Sequence, residues 1–171
     1  MEYRILTVPT ADKKQVSAAG HALAKEMLSK ELSLPADTLS FLKTKNGKPY
    51  LPDCVWQCSI SHTENTILCG IHNGDIGVDI EKTRPYNDRV AKRICSPAEY
   101  AYINGDATRF LEVWTRKEAY AKLTGKGLSI SLRTVPVASN TALHNAVCGC
   151  QVLTAVKDGY VYSIVWGLPR D

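Results

Sequence analysis

Two segments with the period of an amphipathic helix, each set among short apolar runs bounded by turn residues, constrain the fold most. The first is residues 11–32, ADKKQVSAAGHALAKEMLSKEL, where Val16, Ala19, Leu23, Met27 and Leu28 fall near one face and Pro35 lies beyond the end. The second is residues 107–127, ATRFLEVWTRKEAYAKLTGKG, closed by Gly125 or Gly127. Strand candidates precede and follow the first helix at residues 3–8, 38–44, 55–61, 66–72 and 76–81. Asn46-Gly47 and Pro49 supply turn chemistry, and Asn73, Gly74 and Asp75 predict a tight turn between the last two strands. After Pro85 the chain predicts a short helix over 87–94 and another over 96–103, with Ser96 as N-cap and Pro97 at the first helical position. Residues 148–167 read as a hairpin turning at Asp158-Gly159. The expected fold class is therefore α+β: two halves, 1–82 and 83–171, each a helix on antiparallel strands, joined in one compact unit.

The second helix carries an anomaly. At about 100° per residue, Phe110, Leu111, Trp114 and Ala121 share one arc. Glu118 falls inside that arc, with Lys117 and Lys122 at its edges. A carboxylate on a core-facing stripe is costly without a partner. Lys122, four residues on, is correctly oriented for a helix ion pair, and an ion pair beside the core is the plain reading. The alternatives are a metal or a polar cleft.

GVDIEK (77–82) offers that metal. Strand alternation sends Val78 and Ile80 to one side and Asp79 and Glu81 to the other, the two carboxylates roughly 7 Å apart along the strand. Oxygen ligands of this kind suit a hard cation such as Mg²⁺, which takes substrate phosphates as further ligands. Taken alone, the hexapeptide favours the plainer reading, a strand with a solvated acidic face. SISHTEN (59–65) ends a strand candidate with Ser61 and His62. No nucleophile elbow surrounds Ser61, so the pair is not a hydrolase signature, and its plain reading is satisfaction of backbone groups. Lys48 in NGKPY reads plainly as a turn lysine in solvent. GKG at 125–127 lacks P-loop spacing.

Composition excludes other classes. The chain has 171 residues, 44% hydrophobic and 22% charged, the balance of a soluble globular domain. No apolar run is long enough to span a membrane, and MEYRILTVPTADKK has no signal-peptide pattern, so a cytoplasmic protein is expected. The net charge of +4 suits an anionic small ligand or an acidic partner and is too mild for a nucleic-acid binder. Most of the six cysteines sit in strand-like runs and read as reduced, buried thiols; neither CVWQC nor CGC has a partner motif at zinc spacing.

NGKPYLP, SISHTEN, GVDIEK, SPAEY and WTRKEAYAKLTGKGL, in this order from about residue 46 to 128, resemble the 4′-phosphopantetheinyl transferase superfamily, most of all its larger, pseudo-dimeric, surfactin-synthetase-activating type. The resemblance implies two α+β halves related by pseudo-twofold symmetry with the ligand between them. It implies transfer of phosphopantetheine from coenzyme A to a serine of an acyl or peptidyl carrier protein of fatty-acid, polyketide or peptide synthesis, releasing 3′,5′-ADP. By the same resemblance Asp79, Glu81 and Glu118 gather Mg²⁺, and Lys122 meets the same phosphates. Lys48, Ser61 and His62 hold the rest of the nucleotide, and Glu118 is the base for the serine proton. A monomer is expected. A non-catalytic module that binds coenzyme A or a carrier protein on the same fold is the alternative. The chain departs from the larger type in length before the first helix, where family members place basic residues on the 3′-phosphate; Lys13 and Lys14 are the available substitutes.

Overall fold

The computed structural model describes residues 1–126 and 131–170. Gly127 and Leu128, which close the lysine-rich stretch in sequence, lie outside them. The chain runs β1 (Glu2–Thr7), α1 (Lys13–Leu32), β2 (Leu42–Lys43), β3 (Pro49–Tyr50), β4 (Gln57–Thr63), β5 (Thr66–His72), β6 (Ile76–Lys82), α2 (Asp88–Ile94), α3 (Pro97–Ile103), α4 (Ala107–Thr124), β7 (Ala146–Val147), β8 (Cys150–Lys157) and β9 (Tyr160–Trp166). The fold is α+β with two antiparallel sheets, ordered β1-β5-β4-β3-β2 and β6-β9-β8-β7. The two sheets share a topology. In each, the strand before the helices pairs with the second strand of the closing hairpin: β1 with β5, β6 with β9.

Local chemistry explains the elements. Asp12 caps α1 by accepting from Gln15 N, and Asp106 caps α4 by accepting from Arg109 N. Ser96 and Glu99 form a capping box at the start of α3, with Pro97 in its first turn. α4 ends at Gly125, which adopts a left-handed φ of 66°. The β8–β9 hairpin turns at Asp158-Gly159 as expected, both at positive φ.

Three expectations change. The predicted strand 38–44 shrinks to Leu42–Lys43, because Ala36–Thr38 instead forms a 3₁₀ turn closed by the Thr38 hydroxyl on Pro35 O. The 73–75 turn does not join a hairpin: β5 pairs with β1 and β4, whereas β6 pairs along its whole length with β9. The turn is a passage between sheets, and β6, placed by sequence in the N-terminal half, hydrogen-bonds into the second sheet. The first hairpin is β4–β5, turning at Glu64-Asn65, with Glu64 at a φ of 50°.

α1 packs Val16, Leu23, Ala24, Met27 and Leu28 against Cys58, Ile67, Cys69 and Ile71. α4 packs Phe110, Leu111, Val113 and Ala119 with Ile94, Ile103, Val161 and Val165. Leu68, Ile76, Val78, Ile80, Tyr162 and Ile164 form a third cluster between the sheets. Burying each such side chain contributes about 1.5–3 kcal/mol. Two glycines make the close approaches possible. A Cβ on Gly70 would lie 2.8 Å from Val78 Cγ1, and one on Gly77 would lie 1.9 Å from Ala119 O. Gly77 thus lets α4 lie directly on β6.

Candidate functional site

β6 carries the site. Its β9 edge is paired, and serine hydroxyls of β4 cover the other: Val78 N donates to Ser59 Oγ at 3.1 Å and Ile80 N to Ser61 Oγ at 3.4 Å. Ser59 was not singled out by sequence; the alternation that places it on the same face as Ser61 is the signal that could have found it. Ser61 Oγ also donates to Asp79 Oδ1 at 3.0 Å and accepts from Lys122 Nζ at 2.8 Å. Ser61 therefore satisfies a backbone group, as the plain reading of the sequence has it, and also joins the Asp79 cluster.

Asp79 is not on a solvated acidic face: it is 5% exposed, beneath α4. Its Oδ1 accepts from Lys122 Nζ at 2.7 Å. Its Oδ2 is buried without a hydrogen-bond partner among the described residues. Burial pushes the Asp79 carboxyl pKa up, and Lys122 opposes that shift. Glu118 is half-buried and makes no hydrogen bond or ion pair among the described residues. Burial raises its pKa, the Asp79 charge raises it further, and Lys122 lowers it. The expected Glu118–Lys122 helix pair does not form, because Lys122 reaches down to Asp79. Glu81 has both oxygens engaged: Trp114 Nε1 donates to Oε1 at 2.9 Å, and the Arg84 guanidinium donates to Oε2.

Lys117, expected at the edge of the Glu118 arc, is fully buried on another side of α4. It pairs with Glu99 Oε1 at 2.9 Å and donates to the Leu132 and Val135 carbonyls. It is a core lysine, not a member of the site.

Lys48 is not in solvent. Its Nζ donates to Ile76 O at 2.9 Å and Leu123 O at 3.1 Å, and burial pushes its pKa down. Asn46 Nδ2 donates to Gly125 O at 2.7 Å, so the NGK turn clasps the C-terminal end of α4. Between turn and helix opens a cleft of about 200 Å³, lined by Asn46, Lys48, Ser59, Ala121, Lys122 and Gly125 among others. His62 is exposed on the opposite face of β4 from Ser61, and Lys13 and Lys14 are exposed at the start of α1. The structure does not bring these three into the Asp79 cluster.

No group of three or more His, Cys, Asp or Glu side chains among the described residues is preassembled as a metal site. The chemistry of the cluster nonetheless fits a hard cation. An orphaned buried carboxylate oxygen on Asp79 lies in the electrostatic neighbourhood of Glu81 and Glu118, and all the candidate donors are oxygens. Of the thiols, Cys58, Cys69 and Cys95 are buried, Cys148 is exposed, and all six are free.

Buried carboxylate, serine and lysine thus meet where β4, β6 and α4 bring the two antiparallel sheets together. The chain belongs to the 4′-phosphopantetheinyl transferase superfamily, whose family model matches residues 75–165, more than half its length. It is similar to the 4′-phosphopantetheinyl transferase Sfp of Bacillus subtilis (strain 168), with 32% identity over 124 residues covering 69% of this chain and 55% of that one. It is similar also to the 4′-phosphopantetheinyl transferase gsp of Aneurinibacillus migulanus, with 30% identity over 129 residues covering 72% and 54%. The chain thus spans about half the length of the curated relatives it matches. Among solved structures, the holo-[acyl-carrier-protein] synthase of Thermotoga maritima matches with a TM-score of 0.45 and 23% identity, over 56% of this chain and 64% of that one. No helix among the described residues is long and apolar enough to cross a membrane.

Proposed function

We propose that this chain transfers 4′-phosphopantetheine from coenzyme A to a serine of an acyl or peptidyl carrier protein, with Mg²⁺, and releases 3′,5′-ADP. The observation that carries the reading is the seam between the halves, in a chain of this family: Lys122 and Ser61 converge on Asp79 Oδ1 while Asp79 Oδ2 stays buried and unpartnered among the described residues. Asp79, Glu81 and Glu118 would hold the metal, which when bound would neutralise charge on the pyrophosphate oxygens.

The chain's own groups supply the rest. The serine oxygen of the carrier forms a bond to the phosphorus of the phosphopantetheine phosphate, and the bond from that phosphorus to the bridging pyrophosphate oxygen breaks. The serine proton passes to Glu118, whose carboxylate is half-buried and has no competing partner among the described residues. Burial raises its pKa towards the working pH, which improves it as a base, while Lys122 favours its ionised form. Lys122, with a side chain 32% exposed, is free to turn its ammonium from Asp79 to a phosphate oxygen. Lys48 stands at the cleft for the nucleotide phosphates. His62, on the other face of β4, would meet the 3′-phosphate end.

Mass spectrometry of a panel of apo carrier proteins incubated with the chain, coenzyme A and Mg²⁺ tests the reading. A gain of one phosphopantetheine on any carrier supports it. Binding without mass gain on every carrier would sink it in favour of a non-catalytic coenzyme A or carrier module.

A further inference from the structure

Among the described residues, Arg84 is the one cation outside the motifs with a side-chain contact to a proposed metal ligand. β6 ends at Lys82, Thr83 N stays tied to Gly159 O, and Pro85 follows. Arg84 therefore stands just past the strand, three residues from Glu81, and reaches back onto its Oε2. That contact is the only hydrogen bond of Arg84 among the described residues. The arginine side chain is 46% exposed, the glutamate 19%. Arg116 shows what a locked arginine looks like in the same fold: it is 7% exposed and donates to both Thr154 Oγ1 and His144 O. Arg84 has no such second anchor among the described residues.

The charges around the site are then accounted for. Asp79, Glu81 and Glu118 are three carboxylates, of which Lys122 neutralises Asp79 and Arg84 neutralises Glu81. Trp114 holds the other oxygen of Glu81 and fixes the carboxylate plane without adding charge. A divalent cation approaching Glu81 competes with the guanidinium for the same oxygen.

We propose that Arg84 is a tethered counter-ion that holds Glu81 until a divalent cation displaces it, and that the released guanidinium then serves a polyphosphate ligand at the mouth of the site. The inference rests on the reading of Asp79, Glu81 and Glu118 as cation ligands. A guanidinium is a rigid fork matched to phosphate oxygens, so its release places a suitable donor beside the anion that arrives with the metal. The two events are reciprocal: a polyphosphate that captures Arg84 raises metal affinity by the factor by which metal raises polyphosphate affinity. Arg84 is thereby a residue that sets the order and strength of metal loading, without being a ligand itself.

The test is Mn²⁺ binding to the whole chain, without nucleotide, measured by calorimetric titration. Arg84→Gln should bind Mn²⁺ more tightly than the unaltered chain, by about fivefold for the loss of a half-exposed ion pair. Lys82→Gln is the control: it removes the same charge from the neighbouring segment, but Lys82 pairs with Glu64. It should change the affinity less than twofold. A second readout uses the unaltered chain. On titration with Mg²⁺, the Arg84 Nε–H signal in a nitrogen–proton spectrum should move towards that of a solvated arginine. Equal or weaker Mn²⁺ binding by Arg84→Gln, or an Arg84 signal that ignores Mg²⁺, would overturn the inference while leaving the cation reading intact. Failure of both chains to bind any divalent cation would overturn the cation reading and this inference with it.

Discussion

Lys122 directs its ammonium to Asp79, 2.7 Å away on β6, and not to Glu118, one turn back on its own helix. The choice follows from burial. Asp79 is almost wholly removed from water and cannot stay ionised without a cation, whereas Glu118 keeps part of its hydration. The pairing ties α4 to β6, and Ser61 extends it to β4 of the first sheet. What holds the helix in place is also what leaves Glu118 available.

Removing the cation should therefore cost stability as well as activity. Lys122→Met leaves Asp79 buried beside only Ser61. We expect a loss of about 1–3 kcal/mol in urea unfolding, below the value for a fully buried pair because Lys122 is partly exposed. Adding Asp79→Asn should restore much of it, since an amide needs no counter-charge. A stable single variant, or a double variant no better than the single, would contradict the pairing. The same logic corrects the expectation of a solvated acidic face at Asp79.

The buried pair of Lys117 and Glu99 offers a sharper version of this test, because both side chains are 0% exposed. All three protons of Lys117 are used, on Glu99, Leu132 O and Val135 O. Glu99 also accepts from Val137 N and from Ser96 N. Lys117→Met should destabilise by about 3–5 kcal/mol, by stranding a buried carboxylate. Lys117→Met with Glu99→Gln should recover only part of it, because the buried charge is gone but the single amide oxygen can accept from one of the two backbone N–H groups, Val137 N and Ser96 N, and not from both. Thermal unfolding of the two variants decides it.

How far the sequence disclosed this arrangement depends on what each signal encodes. Helix ends were legible where caps act locally: Ser96 and Pro97 stand where the sequence puts them, and Gly125 is one of the two stops it offered for α4. The β8–β9 hairpin was legible because Asp158-Gly159 needs positive φ at both residues. The passage from β5 to β6 was not, since Asn73, Gly74 and Asp75 specify a reversal of the chain and say nothing of which sheet receives the next strand. Periodicity placed Glu118 on an inward arc but could not rank the lysines, because a lysine buried by a distant glutamate has the same local pattern as one in water. Lys117 thus seemed a neighbour of Glu118 and is a core residue. Arg84 lies past the end of β6, where no periodicity applies, and Ser59, though alternation puts it on the Ser61 face, had no task in sequence until β4 and β6 were seen to touch.

Asp88 gives a pH dependence. Its carboxylate pairs with Lys92 and accepts from the Tyr86 and Tyr100 hydroxyls. Lys92 first, then Tyr100, lower its pKa to about 2 from a model-compound value of 3.8. A depressed folded-state pKa contributes stability above the unfolded value, and that stability is lost as pH falls through the folded one. Asp88→Asn should therefore be less stable than the unaltered chain at pH near 6, and the difference should shrink between the two pKa values and vanish below about 2. Parallel unfolding curves of constant separation across the acid range would rule out Asp88 as the source.

Glu118→Gln separates chemistry from packing. The substitution keeps size and shape and removes one charge. Burial and the Asp79 charge both raise the Glu118 pKa in the folded state, so its ionised form is a cost to folding above the unfolded carboxylate range. That cost is absent when the group is protonated. The amide should therefore unfold at a higher temperature than the parent at pH 7, without metal or coenzyme A, and the advantage should fade as pH drops below the usual glutamate range. Phosphopantetheine transfer should move the other way. A positioned base contributes about 10²–10⁴-fold, and single-turnover transfer to a carrier protein should fall by at least that much. The two readouts together would exclude a role for Glu118 in packing alone, since a packing residue replaced by its isostere would change neither. A variant that is more stable and transfers at the parental rate would leave Glu118 a charge without a task.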